Sequence, residues 1–284
     1  MKTHRLSYNS SMNLDTALKR LARDPAAPLD LAEVALTLAR DEYPHLDVEG
    51  ELAELAEFAH DLRPRLQGSL QARVQALGRF LIHDLGFEGN VRDYYDPRNS
   101  YLNEVLVRRT GLPITLSIIT IAIGTRAGLH IEGVGLPGHF IVKAIEGNQE
   151  VFFDPFHGGR VLSLDDCAEL VKGVVGTRPE MTPELTEAVT LGYIVQRMLN
   201  NLKGVYLRQR DFPRAARIIR RLIQLCPDDR MQQRDLGAVL LQGGRPGQAI
   251  DLLEEYLGGE PPPEDAHSVR ELLGQARGEV ARWN

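Results

Sequence analysis

The sequence predicts an α+β fold, mostly helical, with a small antiparallel sheet packed on a buried helix and a C-terminal helical pair of repeats. Three observations predict it. Apolar residues recur at three-to-four spacing through much of the first ninety positions. A strongly apolar stretch, 113–127, is followed by three short β-patterned runs. The tail aligns with itself without a gap at an offset of 34 residues.

The bulk properties fit a globular chain. Hydrophobic residues make up 43% of the 284 positions and charged residues 25%, enough for a sizeable core. The formal net charge of −6 disfavours nucleic acid as a partner. Met1 to Asp24 is polar and has no apolar h-region, which argues against a secretory signal. The longest apolar stretch, 114–123, is too short to span a membrane. Cys167 and Cys226 are the only cysteines and form no CxxC pair, so neither a disulfide framework nor a structural zinc site is expected. A cytoplasmic location, no membrane contact and no cofactor are the expectations.

From the N-terminus, Leu14, Ala17, Leu18 and Leu21, then Leu31, Val34, Ala35 and Leu38, mark helices within 13–62, with Asp15 and Asp30 near their starts. Leu70, Val74, Leu77, Leu81 and Leu85 stripe a helix over 66–86, with Gly86 as its cap and His83 as a half-exposed surface residue. The segment YYDPRNSYLN, 94–103, is turn-rich, and Ser100 is placed to cap a short helix with Glu104 near the capping-box position. Pro113 suits the first turn of the next helix and Gly128 its end. Ile114, Thr115, Ile118, Ile119 and Thr120 favour a strand by type, but the length of the run favours a buried helix. Strands are expected over Glu132–Leu136, Phe140–Ile145 and Glu150–Phe153, the last two joined through Glu146-Gly147-Asn148. Ser163 then caps a helix through Cys167 to Val171, where Cys167 reads as a packed residue.

In the tail, Leu202 meets Leu236, Val205 meets Val239, Ala215 meets Ala249 and Pro227 meets Pro261. Thirty-four residues is the tetratricopeptide period. Gly204 and Ala238 take the small-residue position where paired helices approach, and 264–283 supplies a capping helix with Val269, Leu272, Leu273 and Trp283. Two repeats leave apolar faces to cover, so the array is expected to pack on its own chain. The first repeat is basic, with Arg197, Lys203, Arg208, Arg210, Arg214, Arg217, Arg220 and Arg221 against Asp211 alone, while the N-terminal helices are acidic. These are solvated or mutually complementary faces, or a partner surface on which Arg210, Arg214 and Arg217 are the binding candidates.

The residues offering chemistry are His139, after the glycine turn Gly135-Leu-Pro-Gly138, and Asp154, which a hairpin brings beside it. A carboxylate beside an imidazole fixes its tautomer, the base–orienter half of a triad. Thr115 and Ser117 are nearby hydroxyls, though each is expected to bond a helix carbonyl. Arg98, Asn99 and Asn103 line the same pocket if the turn-rich segment folds over the helix, where they would recognise a carboxylate or amide. His157 is a second imidazole. No HExxH-type spacing supports a metal, and none is expected.

These stretches, YYDPRNSYLNEVLVRRTGLPITLS (94–117), GVGLPGHF (133–140) and DPFHGG (154–159), resemble the transglutaminase-like superfamily. They look like its bacterial SirB-type branch, which joins such a domain to tetratricopeptide repeats. The resemblance covers roughly residues 30–260. It implies a transglutaminase/papain-like core in which a cysteine opens the buried helix, a histidine lies on the following strand and an aspartate on the next. His139 and Asp154 match the base and orienter. Pro113 stands where the resemblance places the cysteine nucleophile, and neither Cys167 nor Cys226 lies near that element. Thiol-based acyl transfer is therefore not expected. The resemblance implies a non-catalytic or degenerate protein that binds a protein or peptide partner through its cleft and repeats. The alternative is a hydrolase or amidase in which His139 and Asp154 work with water or Ser117. The expected organisation is an N-terminal helical segment, 1–62, packed on the core, a transglutaminase-like domain, 63–186, and the repeats with their capping helix, 187–284.

Overall fold

The computed structural model describes residues 12–282. The chain divides into two compact units, one of Pro25–Val195 with the chain up to Ala17, the other of Leu18–Asp24 with Gln196–Asn284. The sequence reading draws its boundary at 186/187. The division instead falls inside a continuous helix, Leu191–Arg208, where a polypeptide offers no linker signal.

Helix α1 (Leu14–Arg23) is followed by α2 (Leu31–Ala39) and α3 (Val48–Leu62). Asp30 caps α2 by accepting from the N–H groups of Ala32 and Glu33, satisfying donors a helix start leaves open. Helix α4 (Leu70–Arg79) opens on Ser69 and runs into a π turn, Phe80–Asp84, where the Leu85 N–H reaches back five residues to the Phe80 carbonyl. Gly86 follows at φ 76°.

Strand β1 (Glu88–Gly89) pairs in parallel with β2 (Thr110–Gly111), and α5 (Leu102–Arg108) lies between them in sequence. Ser100 does not cap α5. Asp96-Pro97 starts a 3-10 turn that consumes Ser100, and extended Tyr101 precedes the helix without a side-chain cap. Helix α6 (Pro113–Ala127) is buried along most of its length, including Ile114, Ile118, Ile119 and Ile123, and ends on Gly128 at φ 109°. Its β-branched residues are compatible with a helix because packing outweighs a small propensity cost. Helices α2 and α3 pack against it.

The sheet is an antiparallel meander in chain order: β3 (His130–Val134), β4 (Ile141–Glu146), β5 (Gln149–Asp154) and β6 (Arg160–Leu162). Glu146 pairs with Gln149 across Gly147-Asn148, with Gly147 at φ 57°, a conformation glycine adopts without a Cβ penalty. Strand β6 lies outside the sequence reading because three residues carry no readable alternation. Val134, Ile141, Phe152 and Leu162 cluster with Cys167 and Val171 of α7 (Leu164–Val175), and α6 packs on β3 and β4. Ser163 and Asp166 cap α7 reciprocally, each side chain accepting the other's N–H. A short helix α8 (Pro183–Thr186) leads to α9 (Leu191–Arg208).

The second unit continues with α10 (Phe212–Leu225), α11 (Met231–Gln242), α12 (Pro246–Gly258) and α13 (Pro263–Ala281). The aligned Leu202/Leu236, Val205/Val239 and Ala215/Ala249 are buried, while Leu207 is exposed and its counterpart Leu241 is not. Gly204 is not a close-approach position: a Cβ there would meet nothing within 4 Å. That role falls to Gly237, where a Cβ would lie 2.6 Å from Leu253. Ala266, Val269, Leu273 and Ala276 form the buried stripe of α13, and Trp283 lies outside the described residues.

Candidate functional site

Asp154, at the end of β5, is fully buried and organises the site. Its Oδ1 accepts from the backbone N–H of Phe156 at 2.9 Å and of His157 at 3.3 Å. Its carbonyl accepts from Gly159 N–H at 3.0 Å, which closes the loop over Gly158 and Gly159 at φ 74° and 68°. Its Oδ2 meets two imidazoles, His139 Nε2 at 3.0 Å and His157 Nδ1 at 2.7 Å. Burial works to raise the Asp154 pKa, but hydrogen bonds from both histidines and their positive field outweigh it, holding the carboxyl well below the usual range.

His139 is buried just before β4, set by the turn in which its N–H donates to the Leu136 carbonyl and Gly138 takes φ 72°. His157 is exposed. Because its Nδ1 faces Asp154, its Nε2 lies on the far side of the ring. The structure therefore places one buried and one solvent-facing imidazole on a single carboxylate oxygen, and the carboxylate fixes the orientation of both. His139, Asp154 and His157 present ligand atoms within 4.8 Å of one another and are the residues that could hold a divalent ion. The 2.7 and 3.0 Å separations are those of hydrogen bonds. Tetrahedral zinc at about 2.0–2.1 Å from each atom would hold them about 3.3 Å apart.

A chain of contacts ties this cluster to the start of α6. The Phe156 ring lies 6.0 Å from His139 and packs on Gly89, where a Cβ would sit 2.6 Å from it. Gly89 pairs with Gly111, two residues before Pro113. Tyr94 packs edge-on to Phe156 at 6.3 Å and to Tyr95 at 5.3 Å, and both tyrosines are exposed.

The turn-rich segment is held by its own polar groups. Asn99 is fully buried and donates to the carbonyls of Asp93 and Tyr94. Its Oδ1 accepts from Asn90 and Arg108. Its backbone carbonyl accepts from the Thr115 hydroxyl at 2.8 Å, and that hydroxyl accepts from Leu112 N–H at 2.9 Å. Asn99 and Thr115 thus fasten the segment to the head of α6. Burial works to raise the Asp96 pKa, but hydrogen bonds from Arg98 and the charges of Arg98 and Arg108 bring it down. Arg98 is occupied by that pair at 2.6 Å. Ser117 Oγ, Asn103 Oδ1 and Ser100 Oγ are buried and have no hydrogen-bond partner among the described residues, so Ser117 does not engage His139. In the second unit Arg210 turns the chain after α9 at φ 57°, Arg214 pairs with Asp211 at 2.7 Å, and Arg217 is half-buried on α10.

Asn90, Arg108 and the Tyr94–Phe156 contact lie outside the sequence reading. The signal available for Asn90 and Arg108 was polar residues flanking a turn-rich run. Only the fold shows that both reach Asn99.

A helix-backed antiparallel meander carrying an imidazole–carboxylate pair, on a chain that ends in paired helices, defines a class. Residues 49–200 match the Transglutaminase-like superfamily and residues 202–274 match the Tetratricopeptide repeat family. The chain belongs to the transglutaminase-like superfamily. Within it the chain stands with the UPF0162 proteins. A UPF0162 protein of Xylella fastidiosa is 35% identical over 85% of this chain and 88% of its own length. One from Vibrio cholerae is 27% identical over 75% and 80%. Human F-box only protein 21 is 30% identical over 49% of this chain and 23% of its own length.

Proposed function

We propose that this chain is a catalytically degenerate transglutaminase-like protein that acts as a binding protein, taking a protein or peptide partner through its cleft and its tetratricopeptide repeats. One observation carries the reading: Pro113, and not a cysteine, opens α6. A thiol belongs at such a helix start because the helix field favours its anion. Proline keeps the start of the helix and supplies no nucleophile. Neither cysteine substitutes. Cys167 is buried in α7, where burial pushes its thiol up to about 11, and Cys226 follows α10 in the other unit. Repeat arrays as a class present extended surfaces to partners, which supports a protein ligand with Arg210, Arg214 and Arg217 on the basic repeat. Asn99 fastens the turn-rich segment to the head of α6, and Arg98 pairs with Asp96 within that segment. The test is Pro113→Cys. Its new thiol should react with iodoacetamide faster than Cys167 or Cys226. Labelling no faster than the native pair contradicts the assignment of position 113.

A second reading rests on the shared carboxylate. An exposed imidazole oriented by Asp154 is equipped to take a proton from water. If the cleft hydrolyses esters or amides, His139→Gln and His157→Gln should each abolish turnover. Equal rates in wild type and both variants remove this reading.

A further inference from the structure

A concavity of about 450 Å³ opens in the first unit between α4 and the loop that follows Asp154. One wall is a stripe at spacing four: Gln71, Gln75, Arg79 and His83. In a regular α-helix a spacing of four drifts about 40° per step. The π turn at Phe80–Asp84 underwinds the helix and offsets that drift, so His83 lines the same space as Gln71. The facing wall is Gly158, Gly159, Arg160 and Val161. The two walls meet through glycine. A Cβ on Gly78 would lie 2.7 Å from the Gly159 carbonyl oxygen and 2.8 Å from Phe153.

Apart from Val161 and the glycines, the lining is polar. Its side chains include two guanidiniums, an imidazole and two carboxamides, and no carboxylate. Arg79, His83 and Arg160 make no ion pair with any described residue, whereas Arg65, Arg73, Arg98, Arg109 and Arg126 of the same unit all do. Arg160 contributes to the field at Asp166 without bonding to it. Unpaired cations that line one concavity repel, and an anion relieves the repulsion.

We propose that this concavity is a binding site for a phosphate monoester, which it grips by the phosphoryl group. Two permanent positive charges call for a dianion. The guanidinium fork matches phosphate oxygens two at a time. The glutamine amides and the His83 ring supply further donors. His157 immediately precedes Gly158, so the concavity adjoins the loop that carries one imidazole of the Asp154 cluster.

The test uses the full chain and calorimetric titration with inorganic phosphate, with acetate as the monoanion control and a phosphoserine peptide in parallel. Phosphate should bind with a Kd below about 1 mM. The Arg79→Gln/Arg160→Gln variant should weaken it by at least about tenfold, as loss of charge-assisted bonds requires. His83→Gln, a single change on an exposed side chain, should weaken it to a smaller extent and guards against misfolding of the double variant. A phosphopeptide that binds tighter than inorganic phosphate assigns the phosphoryl group to a protein; equal or weaker binding assigns it to a small molecule. Absent phosphate binding, acetate binding as well as phosphate, or unchanged affinity in folded Arg79→Gln/Arg160→Gln overturns the proposal.

Discussion

The Asp154 carboxylate accepts four hydrogen bonds from three residues while fully buried, so its chemistry is exposed to a single-atom change. Asp154→Asn should destabilise the first unit by about 2–4 kcal/mol, because both imidazoles lose the oxygen they share and one of them is buried. The pH dependence has a definite sign. The folded carboxyl titrates below its unfolded value, so its stabilisation is complete above the ordinary carboxylate range and is lost as pH falls through and below that range. The gap in Tm between wild type and Asp154→Asn should therefore close as pH is lowered from about 6 towards about 2. A gap that widens on acidification contradicts the pairing. The thiols give a second residue-scale prediction. With its pKa at about 11, Cys167 is ionised at pH 7 to about one part in ten thousand. Iodoacetamide should leave it unmodified in the folded protein and modify it on unfolding. The His139–Asp154 pair was legible because a glycine turn and an Asp-Pro flank two adjacent β-patterned runs. That His157 would share the same oxygen was not legible, since it depends on the loop closing from Gly159 N–H to the Asp154 carbonyl.

At the scale of elements, glycines separate close packing from open surface. Gly78→Ala drives a methyl into the Gly159 carbonyl and the Phe153 ring and should cost about 1–3 kcal/mol. Gly204→Ala meets open space on an exposed helix face and should stabilise by about 0.5–1 kcal/mol. Urea denaturation of the two variants checks both, and the same sign for both sinks the distinction. Sequence alone assigned Gly204 to a close approach because the 34-residue alignment sets it against Ala238. The fold moves the contact one position away, to Gly237, because the crossing of α11 and α12 is set by Leu253 and not by residue size in an alignment. The apolar periodicity gave α2 and α4 their faces, and the length of the apolar run gave α6. The π turn and β6 had no such signature, since one is a local change of winding and the other is three residues long.

At the scale of the molecule, a transglutaminase-like unit and a tetratricopeptide array share one chain, and no described helix is long and apolar enough to cross a membrane. The 34-residue period made the array readable from sequence, because a repeat writes its fold more than once. The proposed role follows from what each unit retains: an ordered imidazole–carboxylate cluster without a thiol at α6, and helix pairs of a binding class. If Asp154 and its histidines hold themselves by hydrogen bonds alone, a chelator should leave Tm unchanged. A Tm that falls on chelation and recovers with zinc would make the cluster a metal centre. The central claim, that the cleft carries no cysteine nucleophile, is tested most directly by acyl transfer. The full chain is assayed for transamidation and amide hydrolysis on glutamine peptides, before and after complete alkylation of its accessible thiols. The account predicts no thiol-dependent turnover, with identical rates in the two samples. Turnover that alkylation abolishes would contradict it.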